Sequence, residues 1–279
     1  MRVHQRLIVT VVVLAAILTL AAGWPTVACV NGSTAIQFTL KPIPITSVHH
    51  SWQAPHIRNE NGTSSNWSGY AAYVAAPKRS SSPTFNAVEG SWAVPKVVAS
   101  ASADTYSSTW VGIDGYSDST VEQIGTEQDW DNGVPEYYAW FEMYPLGAYE
   151  ITHFPIKPGD TISAEVQYTS NGSFKLSIAN ITEKVSFSTT QRLQSAQRLS
   201  AEWIEEAPWW NGVLPLADFG TVNFSNCYAS LSNGTEGAID GWAWNYDQLI
   251  METSNGTVKA LPSRLSSNGE AFGITWHHQ

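Results

Sequence analysis

The chain has 279 residues, with 24 Asp and Glu against 14 Lys and Arg, a net charge of −10 and only 14% charged residues. A chain this acidic lacks the basic surface that phosphate binding needs, so nucleic acid is excluded as a natural partner. Two cysteines, Cys29 and Cys227, the first near an expected cleavage point, exclude a scaffold stapled by disulfides.

The chain opens with Arg2, His4 and Arg6, then a largely apolar run from Leu7 to Ala22 with small residues at its exit. This order describes a secretory signal peptide over residues 1–23. The run is short of the roughly 20 apolar residues of a membrane span, and an uncleaved anchor is the alternative. The expectation is an exported, soluble protein with no membrane contact after signal removal. Eight Asn-x-Ser/Thr sequons, at Asn31, Asn61, Asn66, Asn171, Asn180, Asn223, Asn233 and Asn255, are candidate glycan acceptors of an exported chain.

Residues 24–65 carry Pro25, Pro42, Pro44 and Pro55, with His49, His50 and His56, and Glu60 as their single acid. This texture suits a linker or pro-segment. From Asn66 the chain becomes dense in aromatics and regular turns, which predicts one domain over 66–279. Strand-forming runs recur at Tyr70–Val74, Val88–Val94, Ser107–Ile113, Tyr137–Tyr144, Thr161–Tyr168, Phe174–Ile178, Thr221–Phe224 and Ile239–Trp244. Asn132-Gly133, Asn171-Gly172 and Asn233-Gly234 suit tight hairpins. Only Thr190–Ser200, with Leu193, Ala196 and Leu199, has a helical pattern. The spacing predicts an all-β antiparallel sandwich or barrel.

Chemistry narrows by elimination. Beyond residue 65 the histidines are His153, His277 and His278, and no G-x-S-x-G, HExxH or phosphate-cradling glycine loop occurs. Carboxylates, amides and aromatics remain, an inventory that fits acid peptidases, glycosidases and carbohydrate-binding modules without a metal or cofactor. Between Lys96 and Lys157 lie ten acidic residues and no Lys or Arg. Such a block repels itself at neutral pH and is largely neutral near pH 3–4, which points to life in acid. Strand alternation places Val121, Gln123 and Gly125 on one face. It likewise groups Glu202, Ile204 and Glu206, with Trp203 and Glu205 opposite. Taken singly, Gln123 reads as an ordinary strand residue and Glu206 as a solvated strand end.

Taken in order, the motifs resemble the glutamic peptidases, or eqolisins. They are Asn66-Trp-Ser-Gly69, Glu89-Gly-Ser-Trp-Ala-Val-Pro95, Trp110-Val-Gly-Ile-Asp-Gly115, Gln123-Ile-Gly125, Tyr138-Ala-Trp-Phe-Glu-Met-Tyr-Pro145, Ala201-Glu-Trp-Ile-Glu-Glu206 and Phe219-Gly-Thr-Val-Asn-Phe224. The resemblance implies two antiparallel curved sheets packed as a lectin-like (concanavalin A) jelly-roll sandwich. It places the catalytic pair on Gln123 and Glu206, with Trp110, Asp114, Glu142 and Tyr144 lining or supporting the substrate cleft. It further implies a secreted, monomeric acid endopeptidase acting on polypeptides, with no metal or cofactor. The expected zymogen has its His-rich stretch near 49–58 shielding the cleft. Tyr138, Glu205 and Ala207-Pro208 depart from the fungal pattern. The rival readings are a lectin-like carbohydrate-binding module and a glycosidase using Glu202, Glu206 or Glu142.

Overall fold

Alternating side chains let one strand feed two environments at once, and this chain uses that property on a large antiparallel array. The computed structural model describes residues 27–29, 36–43, 56–57, 62–75, 82–100 and 103–279. The signal-like segment 1–23 and the sequons at Asn31 and Asn61 lie outside them.

One sheet runs in the order Asn245–Glu252, Trp67–Tyr73, Ser200–Glu206, Ser108–Ile113, Val121–Asp131, Val134–Tyr144, Ala148–Thr152, Ile36–Pro42 and Val27–Cys29. A second runs Val185–Arg192, Ser173–Asn180, Thr161–Ser170, Phe85–Ala93, Thr221–Leu231, Phe272–Trp276 and Val258–Pro262. The strand Asn245–Glu252 joins them, pairing with Trp67–Tyr73 through Leu249 and with Val258–Pro262 from Met251. Between the sheets, Val111, Ile113, Ile124, Phe141 and Trp203 from the first meet Val88, Trp92, Ile162 and Leu176 from the second. Trp203 is fully buried and donates its indole N–H to the Glu89 carbonyl at 2.7 Å, tying the sheets together. The other face of the first sheet carries its own cluster of Trp67, Trp110, Trp140, Val121, Ile204 and Leu249.

The turns follow from residue chemistry. Asn132 and Gly133 (φ 49° and 81°), like Asn171 and Gly172 (φ 50° and 74°), adopt the left-handed pair that two-residue hairpins require. Two expectations fail. No helix forms over Thr190–Ser200: the strand runs on to Arg192, paired with Ser173. Beyond it the N–H groups of Gln197, Arg198 and Leu199 go to the Asp114 carboxylate rather than to an i−4 carbonyl. The run Ile239–Trp244 is a turn between strands Glu236–Ala238 and Asn245–Glu252, closed by Gly241 N–H to Ala238 O and by the Trp244 indole to Ile239 O.

The segment upstream of Asn66 is docked where it is described. Strand Ile36–Pro42 pairs with Ala148–Thr152, and Phe38 and Leu40 enter the main core. Phe38 sits against Phe154 and Phe187 with ring centroids at 5.7 and 6.0 Å.

Gly69 marks the tightest backbone approach behind the site. Its φ of 146° favours glycine, and a Cβ there would run into the carbonyl of Trp203. Gly69→Ala is therefore expected to lower stability by about 1–3 kcal/mol or more, measured by urea unfolding at pH 4. An unchanged midpoint would contradict this packing.

Candidate active site

The face of the first sheet that points away from the second sheet collects the candidate residues. Cross-strand partners give its rows. Glu206, Ser108, Glu127 and Tyr138 form one row, Ile204, Trp110, Gly125 and Trp140 the next, and Glu202, Gly112, Gln123 and Glu142 the third. Gln123 and Glu206 thus lie on one face, on either side of the Ser108–Ile113 strand and diagonally across Trp110. Gly112 and Gly125 leave that face clear between the larger side chains. A Cβ at Gly112 would press on Trp110 and Gln123 at 2.9 and 3.1 Å, so glycine there keeps both residues in place.

Glu206 is fully buried and held at both oxygens. Asn66 Nδ2 donates to Oε1 at 3.0 Å, and the Trp110 indole Nε1 donates to Oε2 at 3.0 Å. Trp110 in turn is fixed edge-on against Trp67, centroids 4.9 Å apart. Two N–H donors favour the ionised carboxylate without adding a formal charge. The motif containing Asn66 was legible in the sequence, but its contact with Glu206, 140 residues away, was not.

Gln123, also fully buried, donates from Nε2 to Glu142 Oε2 at 2.9 Å. That bond fixes the plane of the amide, which retains a second N–H. Tyr144 packs against the aromatic cluster of the same face. Asp114 has a different task. It sits at φ 71°, and its carboxylate accepts from the backbone N–H groups of Gln197, Arg198 and Leu199 at 2.8, 2.6 and 2.6 Å. It therefore pins the loop that leads into the Glu206 strand and supports the site from below. Burial, with Asp118 nearby, pushes its carboxyl up to about 7, against the pull of those N–H donors.

Two sequons are closed by the fold. Asn66 and Asn180 are fully buried, the latter bonded to Pro155 O and Asp160, so neither side chain can accept a glycan in the folded chain. Asn171, Asn223, Asn233 and Asn255 are exposed. His153 is exposed at a strand end, at φ 65°.

Around the pair, burial raises carboxyl after carboxyl. Glu122, Glu127, Asp129 and Glu202 are all driven well above the usual carboxylate range by loss of water, helped by neighbouring acids. Glu122 has no side-chain hydrogen bond among the described residues, and at Glu202 the Ser200 hydroxyl opposes the rise without cancelling it. Glu205 faces the inter-sheet side, behind Glu206. It accepts from Thr109 Oγ1 at 2.5 Å and Gln128 Nε2 at 3.3 Å, and burial pushes it up to about 7 despite those bonds.

These groups make stability depend on pH with a definite sign. A carboxyl whose folded pKa is raised keeps its proton in the native state while the unfolded chain loses it near 4.5, so stability is present below that value and falls as pH rises. For Glu205 the fall runs from about 4.5 to about 7 and amounts to roughly 3 kcal/mol. Urea unfolding at pH 4 and pH 7 should show much lower stability at pH 7, and Glu205→Gln should shrink that difference. Equal stability at both pH values would overturn the reading.

Comparisons with known proteins bear on the fold and the family. The model of the Peptidase A4 family matches residues 65–270. Aspergillopepsin-2 of Aspergillus niger is 33% identical over 155 residues, which is 53% of this chain and 55% of that protein, so the match spans about half of that relative's length. A crystal structure of scytalido-glutamic peptidase with a transition-state analogue inhibitor is similar at TM-score 0.63 and 25% identity, covering 76% of this chain and 98% of that one. Aspergilloglutamic peptidase from Aspergillus niger is similar at TM-score 0.55 and 29% identity, over 62% of this chain and 99% of that one. The sandwich expected from the motifs is thus the sandwich found, and the chain belongs to the Peptidase A4 family, the glutamic peptidases or eqolisins.

Proposed function

We propose that this chain is an acid endopeptidase that hydrolyses polypeptides with Glu206 and Gln123. The observation that carries the reading is the contrast within one buried face. Glu206 is bonded at both oxygens by neutral N–H donors, whereas for Glu202, in the row of Gln123, burial outweighs the Ser200 hydroxyl and drives the carboxyl well above the usual range. A general base working in acid must be the carboxylate that stays ionised, which selects Glu206 over Glu202.

In this mechanism Glu206 takes a proton from the attacking water as its oxygen bonds to the scissile carbonyl carbon. The carbonyl oxygen becomes an oxyanion, stabilised by an amide N–H of Gln123, whose donor capacity does not change with pH. As the C–N bond breaks, Glu206 returns the proton to the leaving amine. Glu142 keeps the Gln123 amide in plane, and Trp110 and Asn66 keep Glu206 in place. The cleft needs no metal or cofactor for this sequence of steps.

The same reading assigns residues 1–23 to a signal peptide, 24–65 to a pro-segment and 66–279 to a secreted, monomeric catalytic domain. Its support is the way the upstream segment meets the site. Lys41 pairs with Glu150 at 3.0 Å on one side. On the other, the Ile57 N–H donates to Asn66 Oδ1 at 2.9 Å, one residue from Glu206. A docked segment of this kind fits a zymogen, with the His-rich stretch near 49–58 shielding the cleft until acid loosens it. A carbohydrate-binding role or a carboxylate-pair glycosidase would leave Gln123 and its bond to Glu142 without a task.

The test is cleavage of a denatured protein substrate at pH 2–5 after acid incubation of the full chain. Gln123→Ala should lower kcat by about 10²–10³, and Glu206→Gln should remove measurable turnover, with Glu202→Gln far milder than either. Cleavage that survives Glu206→Gln would sink the mechanism. Retention on a polysaccharide with no proteolysis would favour the binding module.

A further inference from the structure

The side chain that the upstream segment presents to the site shows what the site is shaped to hold. The imidazole of His56 lies between two rings. It stacks on Tyr116 at 5.2 Å with 16° between planes, and on Trp67 at 5.6 Å with 30°. Its backbone N–H donates to Gly115 O at 3.1 Å, and the next residue, Ile57, donates its N–H to Asn66 Oδ1 and accepts from Ser65 N–H at 2.9 Å. The dipeptide is thus bound by main-chain hydrogen bonds with one side chain inserted, which is how a cleft holds a peptide.

Both walls of the slot are held by other residues, so it does not depend on its occupant. Trp67 is fully buried, pairs across the sheet with Glu206 and packs edge-on against Trp110. Tyr116 donates its hydroxyl to the Asp247 carboxylate, and its ring leans on Tyr73 at 5.1 Å. Two aromatic faces, inclined by 30° and 16° to the imidazole plane and held by these other contacts, favour a planar ring over a branched aliphatic chain.

We propose that the Trp67–Tyr116 slot is a substrate subsite for a flat-ring side chain (Phe, Tyr, Trp or His), with Tyr116 as its specificity-determining residue and Asn66 Oδ1 receiving the N–H of the following substrate residue. His56 holds this subsite in the full chain in the manner of a bound substrate. The assignment of a substrate rests on the endopeptidase reading above. The slot itself stands on the packing of His56.

Two measurements test it, one of them independent of activity. In the full chain, amide exchange at Ile57 should be as slow in His56→Phe as in the wild type, and at least about fivefold faster in His56→Leu. Equal protection in His56→Phe and His56→Leu would overturn the slot whatever the chain does to peptides. With protein matured from the full chain in acid, peptides differing at one position should be cleaved with kcat/KM at least about fivefold higher for Phe, Tyr or His than for Leu or Ala. Tyr116→Ala should reduce that ratio below about twofold. A wild type without ring preference, or a preference that survives Tyr116→Ala, overturns the subsite. Absence of cleavage by any form, with ring-selective protection of Ile57, would instead remove the endopeptidase reading and leave the slot as a docking site for the chain's own His56.

Discussion

The structure depends on carboxyl groups kept out of water. Among the described residues, Asp114, Glu122, Glu127, Asp129, Asp131, Glu142, Asp160, Glu202, Glu205 and Glu206 are buried, and Lys259 is the buried lysine that stands against them. Lys259 has itself been lowered to about 8 by burial. Taking an ionised carboxylate out of water costs far more than neutralising it, so burial drives Asp114, Glu122, Glu127, Asp129, Glu202 and Glu205 toward their protonated forms as the sheets close. A fold with this constraint is at its most stable in acid. The condition that stabilises the fold also keeps the site's neighbours neutral.

Against that background Glu206 is set by its hydrogen bonds. Glu206 receives an indole and an amide N–H from residues that are themselves packed, Trp110 against Trp67 and Asn66 against Ser64 Oγ. Neutral N–H donors favour its ionised form. In the proposed mechanism Gln123 complements it, since an amide keeps its donors at any pH where a second carboxyl would titrate. The backbone makes room through glycines at 112 and 125, and Asp114 fixes the loop from which the Glu206 strand departs. Glu205 is buried with Thr109 and Gln128 behind the site. Its raised carboxyl gives the chain an additional reason to lose stability as pH rises.

Much of this was legible in the sequence for local reasons. Alternation alone puts Glu202, Ile204 and Glu206 on one face and Trp203 and Glu205 on the other, and the register of Ser200–Glu206 on its two neighbours agrees. Asn132-Gly133 and Asn171-Gly172 announced their hairpins because few residues accept positive φ. The failures came where a distant group decided a local conformation. The helical pattern of Leu193, Ala196 and Leu199 loses to the Asp114 carboxylate, which takes the N–H groups that a helix would need. Asn66 reads as a glycan acceptor until the fold brings Glu206 to its amide. The partnering of Gln123 with Glu142, and of His56 with Trp67 and Tyr116, depends on strand order, which no local pattern encodes.

The central proposal is that Glu206, bonded at both oxygens, is the carboxylate that stays ionised in acid while burial keeps Glu202 and Glu205 protonated. The direct measurement is a carbon-13 NMR titration of the glutamate side-chain carboxyls between pH 3 and pH 7, with Glu206, Glu205 and Glu202 assigned by the Gln variants. The account predicts that at pH 4 the Glu206 resonance reports a carboxylate while those of Glu205 and Glu202 report protonated acids. A Glu206 that is still protonated at pH 4, or that titrates together with Glu202, would contradict it.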